Sequence, residues 1–546
     1  MDEHYDAIVV GSGIGGLTAA AVLAKGFGKR VLVLERHWVL GGQTHAFRRK
    51  GGFEWDVGLH YVGDMAPGSD PRAVMDFITD GRVEWVRQAG GVDGFHFPGL
   101  TLHYGEDREQ FRAALLRQFP EQAPGIARYF ADLTRAVQAL RRLWTAKLLP
   151  RPLRVALKWW ARWRTRDLMG TTDEWMVRHI ADPALRGVLT TVWGDYGLPP
   201  ERSAFLMHAL VVDSYRNGAW YPDGGSARLA EAMKAVIEAA GGRVQGQTTV
   251  ERILVERGRA VGVEGARFRR SGNVSQRWYA PVVFSGIGAH GTYHRLLAHL
   301  PLEAERNETQ RLMAPASSAV TLYTGLREDP ARLGFSAENL WLSREPAGGS
   351  CENDPRELLQ GRVRHGFLSF PSKKNPRARA HTAEVVATVP WAPFERWSGQ
   401  PWRKRDAEYQ ALKAKISEGM LDLVESYFPG FRDLVAYHEL STPLTQAFFT
   451  GHPHGAFYGL PGTPQRFTSP VAGPRTPVAG CYLTGTDAAS LGIIGAMMGG
   501  VMAAATSLGT SGFPQVMKRV NADREARSQM GPKADETLSA SQKGGA

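Results

Sequence analysis

Apolar residues recur along this chain in three rhythms, and each predicts a different element. Short unbroken runs, "AIVV" (Ala7–Val10) and "VLVL" (Val31–Leu34), suit parallel strands buried on both faces. "APVVFSGIG" (280–288) and "CYLT" (481–484) read the same way. A helical rhythm puts Leu229, Met233, Val236 and Ile237 on one face, and Gly241-Gly242 ends that helix. Longer helices are predicted over 108–149 and 407–428. Val244 and 250–254 alternate as strand, and 319–324 and 384–389 also read as strands. Two uncharged runs, 7–24 and 488–509, approach the length of a membrane span. Their Gly and Ala content predicts close packing inside a soluble fold instead.

The first strand leads directly into "GSGIGG". Gly11, Gly13 and Gly16 fit the spacing GxGxxG between a strand and a helix. Gly11 permits the turn, Gly13 lets the backbone approach a pyrophosphate, and Gly16 lets the helix pack on the strand. The helix start offers free N–H groups and a positive dipole end to phosphates. The next strand ends at Glu35, where a carboxylate can accept ribose hydroxyls and would repel a 2′-phosphate. This is a dinucleotide site.

Gly41 and Gly42 make a second glycine turn immediately behind it. That turn extends the groove along the pyrophosphate toward a flavin, so the expected cofactor is FAD. No second GxGxxG offers a nicotinamide site. At the far end, the strand at 481–484 leads to Gly485 and Asp487, and "GIIG" (Gly492, Ile493, Ile494, Gly495) opens a small-residue helix. Asp487 can bond the ribityl chain or cap the helix. The helix start near Ile494 can face the flavin pyrimidine and stabilise negative charge on the reduced ring.

"GGQTHAF", "FEWDVGLHYVG", "WYPDGGSARLAEAMKAVIEAAGGRV", "STPLT", "GAFYGL" and "YLTGTDAASLGIIGAMMGG" resemble the phytoene desaturase, carotenoid isomerase and retinol saturase superfamily of flavoproteins, itself related to amine oxidases. The resemblance runs to about Leu508, and "GLHYVG" and "GGQTHAF" lean toward the retinol saturase branch. Gln43 departs from the carotenoid desaturases, which tend to carry a basic residue there. The resemblance implies an α/β fold: a Rossmann-type FAD domain assembled from 1–70, 223–298 and 470–510, and an α+β substrate domain of 71–222 and 299–469. It also implies a cofactor shell that adds Ser12, Ile14, Gly15, Arg36, Gln43, Thr44, Leu59, His60 and Val250 to the residues above, with Val250 giving backbone contacts to the adenine.

The flavin would carry the redox step, leaving the protein to position substrate and handle a proton. His60 and Tyr61 are the candidates, since an imidazole can act in either direction near neutral pH. A histidine that only bonds backbone near the cofactor is the plainer alternative. Asp195-Tyr196 and Tyr221 are weaker candidates. His452 and His454 lie two apart, with nothing else to suggest a metal, and none is expected.

Charge changes the picture in one place. The formal net charge is +12, and Arg141–Arg166 alone supplies nine Lys or Arg and four Trp with no acid. Lys and Arg attract anionic headgroups, and Trp144, Trp159, Trp160 and Trp163 suit the headgroup boundary. Val155–Arg166 can form a basic amphipathic helix after Pro150 and Pro152. The expectation is a monotopic dock on the inner face of a membrane in a cytoplasmic protein. A solvated basic face is the alternative; no nucleic-acid motif accompanies the stretch. Cys351 and Cys481, the chain's two cysteines, form no disulfide framework, and the acidic N-terminus lacks a signal-peptide pattern. Residues 515–546 are charged, then rich in Ser, Gly and Lys, and are expected to be a disordered tail.

The expected function is desaturation, saturation or isomerisation of carbon–carbon bonds in a carotenoid, retinoid or fatty acyl chain, by hydride exchange at flavin N5. Oxygen, a quinone or a reduced nicotinamide would be the electron partner. An amine oxidase-like flavoprotein and a non-catalytic flavin-binding membrane protein are the alternatives.

Overall fold

The computed structural model of the protein describes residues 4–148, 165–269, 272–314 and 316–530. Among these, five parallel strands form one sheet in the order Cys481–Leu483, Val283–Ser285, Ala7–Val10, Val31–Leu34, Arg243–Gln245. Chain segments hundreds of residues apart therefore share a single sheet. Ala7–Val10 and Val31–Leu34 are buried throughout, as strands are when both faces are covered. Helix Ile14–Phe27 packs against helix Ala227–Ala239 and against the small-residue helix Gly492–Ser507. Among the described residues, no helix is long and apolar enough to cross a membrane.

A second sheet of seven strands runs Val435–Ser441, Ser318–Leu326, His381–Val389, His365–Ser369, Asn339–Ser343, Asp93–Phe97, Leu100–His103. Its pairs are antiparallel except that Asn339–Ser343 runs parallel to Asp93–Phe97. Helix Ala407–Tyr427 packs on strands Asn339–Ser343 and His365–Ser369. A helical layer built around Tyr129, Trp175, Phe205 and Leu206 adds a core of its own.

Three sequence expectations change. The helix expected over 108–149 is two helices, Arg108–Gln118 and Ala123–Leu148. Phe119 between them sits at φ −131°, ψ 61°, because the following Pro120 disfavours a helical residue before it. Of the strand expected over 280–288, only Val283–Ser285 is strand. The expected disordered tail is a correction in its first half: Gly512–Met530 is helix. Val516 and Val520, four apart, are both fully buried in the core of the nucleotide sheet. Lys25 pairs with Asp523 at 2.8 Å, and Arg527 with Asp80 at 2.9 Å. Residues 531–546 lie outside the described residues.

Of the basic stretch, 141–148 complete the helix Ala123–Leu148. Trp144 is half-buried there against the helical core, so it does not present a free indole to a headgroup layer. Residues 149–164, with Trp159, Trp160, Trp163 and nearly all of the expected basic helix, lie outside the described residues.

Candidate active site

A cleft of about 910 Å³ runs along the C-terminal ends of the parallel strands. The glycine turn forms one wall. Gly11 stands at φ +95°, a backbone state that suits glycine. A Cβ on Gly16 would overlap the carbonyl of Gly11, whereas one on Gly13 would meet nothing within 4 Å. Gly13 lies at φ −60°, ψ 162°, open to any residue, and lines the cleft. Its bare face therefore belongs to whatever fills the cleft. The second turn closes on the first, since a Cβ on Gly42 would sit 2.9 Å from Gly13 Cα.

Glu35 lines the cleft with both oxygens engaged. Oε2 accepts from Ser12 N and Oγ, each at 2.8 Å, and Oε1 accepts from His37 N at 2.7 Å. Each oxygen keeps lone-pair capacity for a ribose hydroxyl. Ser12 is fully buried and also accepts from Gly41 N at 3.1 Å, so it ties the two glycine turns together. Thr248, Thr249 and Val250 wall the end beside Glu35, and Gly485, Gly492, Ile493 and Ala496 wall the helix start opposite. Ile14, Gly15, Arg36, Gln43 and Thr44 also line the cleft. Arg36 donates to the carbonyls of Phe448 and Phe449 at 2.8 and 2.7 Å.

Ser12 and three more of the expected cofactor residues stand behind the wall. Leu59 is fully buried in core. Ile494 packs against the same core without lining the cleft. Asp487 spends its carboxylate on Ala289 N (2.7 Å) and Leu460 N (2.9 Å). It staples two loops, and the buried Arg466, which donates to Leu460 O and Thr486 O, completes that staple.

A second cavity, of about 280 Å³, abuts the cleft. Gln43, Val57, Gly58, Gln446, Phe457 and Tyr458 line both. Its inner wall carries Trp341, Phe367, Trp193, Met176 and Phe97, together with His60 and Asp195. Gln43 holds the junction by donating to Phe457 O at 2.7 Å.

Behind that wall lies a buried polar layer. Lys374 Nζ donates to His60 O at 2.9 Å, to Ser369 Oγ at 2.7 Å, and to Asn339 Oδ1. Tyr61 lines neither space; its hydroxyl donates to Asp195 at 2.7 Å and to Asp93 at 3.3 Å. Trp341 Nε1 donates to Asp93 at 3.1 Å. Asp56 accepts from the hydroxyls of Tyr221 and Ser226. Tyr196 turns away, to His208 at 3.1 Å. Glu384 is fully buried, and neither of its oxygens has a well-directed hydrogen bond, although the Asp56 backbone amide lies near enough to lower its pKa. His60 Nδ1 approaches Glu384 Oε2 to 2.9 Å, at hydrogen-bond distance but off hydrogen-bond direction.

These acids crowd around a single ammonium, Lys374, and burial decides their protonation. It raises Asp56 to about 6, with the Glu384 charge adding, and Asp195 to about 6. It raises Glu384 to about 8 against the pull of Lys374, and Asp93 well above the carboxylate range. It lowers Lys374 to about 7, and lowers His60 to about 4 with help from the Lys374 charge. At neutral pH the layer stores protons on carboxyls, and His60 is a neutral imidazole.

The sequence brought His60, Tyr61, Asp195 and Tyr221 into view, and the fold gathers all four around this layer. It gave no notice of Lys374, Asp56, Asp93 or Arg466, which sit in ordinary polar contexts. Glu384 carried a signal, an acid inside the apolar strand "HTAEVVATV". Arg295 was also missed. It lines the cleft with its side chain exposed and without a side-chain hydrogen bond or ion pair among the described residues; partial desolvation and then Arg36 push its pKa down. A dinucleotide pyrophosphate would supply the missing counter-charge. His452 and His454 do not converge; the His452 ring bonds Ala456 O at 2.7 Å and the His454 ring packs beside Trp391. No group of three or more metal-ligating side chains occurs among the described residues.

The glycine cradle, the acid at the second strand and the adjoining chamber define a Rossmann-type dinucleotide oxidoreductase. Residues 9–79 match the model of the NAD(P)-binding Rossmann-like domain. The chain is 30% identical to all-trans-retinol 13,14-reductase of Rattus norvegicus, over 93% of this chain and 86% of the relative. It is 25% identical to the chloroplastic prolycopene isomerase of Arabidopsis thaliana, over 92% and 82%. Cyclohexylamine oxidase of Brevibacterium oxydans shares the fold at TM-score 0.57 and 19% identity, over 97% of this chain and 100% of that one. The chain belongs to the all-trans-retinol 13,14-reductase family of FAD-dependent oxidoreductases; it is an enzyme, and FAD is its cofactor.

Two predictions follow from this geometry. Gly13→Ala adds a methyl that touches no protein atom, so apo-protein stability should change by less than about 1 kcal/mol. FAD retention, read from flavin absorbance after gel filtration, should weaken at least ~10-fold; unchanged retention would contradict the cleft assignment. The second concerns Glu384, whose ordinary value of 4.5 rises on folding to about 8. The native state holds a proton that the unfolded chain releases. The resulting stability is full below 4.5 and is lost as pH rises through 8. The wild-type melting temperature should therefore fall relative to Glu384→Gln between about pH 5 and about pH 9. A constant difference across that range would contradict the buried, protonated acid.

Proposed function

We propose that this protein reduces a carbon–carbon double bond of a long apolar lipid, a polyene or an unsaturated acyl chain. The cavity carries the reading: a chamber walled in part by Phe97, Trp193, Trp341 and Phe367 meets the dinucleotide cleft at Gln43, Val57, Gly58, Phe457 and Tyr458. Burial of a hydrocarbon on such walls contributes about 25 cal/mol per Å². An amine would need a free carboxylate at the junction. Asp195 already accepts from Tyr61, while Asp173 and Glu201 stand half-exposed and exposed at the cavity's far side. One relative's name points to reduction of all-trans-retinol, which supports this direction, while the other's points to isomerisation of prolycopene.

When bound, FAD supplies hydride exchange at its N5. The chain's own part is to hold and to exclude. Backbone N–H groups at Gly13–Gly16 and the Arg295 guanidinium hold the pyrophosphate, Glu35 holds the ribose, and the start of helix Gly492–Ser507 offers its positive end to the ring. Trp341 and Phe367 keep water from the double bond. His60, on the wall, handles the proton. Reduction needs a proton as well as a hydride, and the protonated carboxyls behind the wall favour that direction.

The test mixes dithionite-reduced protein with lipid extract under anaerobic conditions and follows the flavin spectrum and the lipid masses. Flavin reoxidation should accompany the gain of a hydrogen pair by a lipid. Loss of a hydrogen pair to oxidised flavin would reverse the direction, and rearrangement without net flavin change would mark an isomerase. Turnover of putrescine or another simple amine with no lipid change would overturn the reading.

The basic stretch supports a peripheral position at the inner face of a membrane, where such lipids reside. Changing Arg151, Arg154, Lys158, Arg162 and Arg164 to Gln should weaken sedimentation with anionic vesicles at least ~100-fold, at about 1 kcal/mol per charge. Binding indifferent to anionic lipid would refute the dock.

A further inference from the structure

We propose that Glu384 is the proton source behind His60: a carboxylic acid that reloads imidazole Nδ1 when the ring's cavity-facing edge gives its proton to the substrate. The inference rests on the double-bond reduction proposed above and names the groups that carry its proton.

The fold builds this pair from two directions. Glu384 lies in the middle of strand His381–Val389, paired with Tyr323 on one neighbouring strand and Ser369 on the other. Residues paired directly across a sheet project to the same face, so this row looks toward His60. Ser369 in turn accepts from Lys374, whose Nζ also holds His60 O. His60 is thus fixed through its backbone from the same side that presents the acid. Its Nδ1 edge is buried and stands 2.9 Å from Glu384 Oε2. The ring packs edge-on against Phe367, a cavity residue, with centroids 5.1 Å apart. The side chain keeps 20% exposure and lines the cavity, so the edge opposite Nδ1 is the accessible one.

Neither Glu384 oxygen makes a well-directed hydrogen bond, with the Asp56 backbone amide and the His60 ring close by, and a buried acid so poorly satisfied is costly. The groups facing it are His60, Asp56, Lys374 from helix Pro371–Lys374, Tyr323 from its neighbouring strand and Tyr221. The Lys374 charge and then the Asp56 backbone amide draw it toward ionisation. Burial outweighs that pull and raises its pKa to about 8, and the same burial keeps His60 neutral. A neutral imidazole beside a neutral acid is the charged-up state of a relay. A small rotation of either side chain completes the missing hydrogen bond.

The step balances. Hydride from the reduced cofactor forms one C–H bond, and the π electron pair moves to the adjacent carbon. That carbon takes the proton from Nε2–H while Nδ1 takes the proton from the Glu384 carboxyl. The alkene is reduced, the cofactor is oxidised, the imidazole is neutral again with its tautomer exchanged, and the carboxylate awaits a proton. Glu384 touches no substrate, and acts through His60.

The test reads Glu384 first in resting, FAD-loaded protein. Infrared titration of the wild type should show a protonated-carboxyl stretch that disappears near pH 8. The band should be absent in Glu384→Gln, and shifted in frequency and titration midpoint in His60→Asn. Reduction of a lipid by pre-reduced enzyme should then slow ~10²-fold or more in Glu384→Gln, and the rate should lose the wild type's decline above pH 8. Flavin content and melting temperature check that the variants fold. If Glu384→Gln does not fold, the His60→Asn band shift decides alone. An acid already ionised at pH 6, or a band indifferent to His60→Asn, overturns the relay. So does a Glu384→Gln enzyme with the wild-type rate and pH profile. If the wild type reduces no lipid, the functional reading falls, and the shared proton is still judged by its band.

Discussion

Backbone must touch backbone for this molecule to have a site at all. Helix Ile14–Phe27 meets the turn at Gly485 through Gly15, and helix Gly492–Ser507 meets both through Gly499 and Gly500. A Cβ at Gly15, Gly499 or Gly500 would overlap main-chain atoms of its neighbour, and packed interiors do not yield enough to admit one. The first and last segments of the fold are thereby locked side by side. Two helix starts then open onto one cleft.

The rest of the site is a response to this geometry. Loops arriving from distant parts of the chain must be held where strands end. The structure uses charged groups as staples: Asp487 and Arg466 bind loop backbone, Glu35 binds the first glycine turn, and Arg36 binds the end of helix Pro443–Thr450. Each is worth more than a neutral hydrogen bond because one partner is ionised. Beyond the cleft, the seven-stranded sheet brings acids from separate strands behind a hydrocarbon wall. There, too few cations exist to keep them all charged, so Glu384 and Asp93 keep protons at neutral pH. An apolar chamber with protons stored behind it is a setting in which an uncharged substrate can receive one.

The nucleotide half was legible from sequence because its rules are local. A buried strand, a glycine spacing and an acid at the end of the next strand each follow from a few adjacent residues. The substrate half was less so. Pro120 splits the helix that a continuous amphipathic pattern suggested. Val516 and Val520 are too few to announce a packed helix in a charged tail, yet they suffice once the nucleotide core offers a place for them. Asp487 was expected at the cofactor by its position in a motif, and nothing in that motif announced that its carboxylate would accept amides from Ala289 and Leu460, neither of them near it in sequence. The polar layer was the least visible. Lys374, Asp56, Asp93 and Glu384 come from four different elements, and only the closed fold reveals that they share one low-dielectric space.

The account's central claim is that cleft and chamber are two halves of one reaction site, joined at Gln43, Gly58 and Tyr458. A crystal structure of the FAD-loaded protein soaked with a long polyene tests it most directly. The account predicts the flavin ring against the start of helix Gly492–Ser507 and the polyene between Trp341 and Phe367, meeting at that junction with the His60 ring alongside. A polyene bound elsewhere, or a flavin ring remote from the junction, would contradict it.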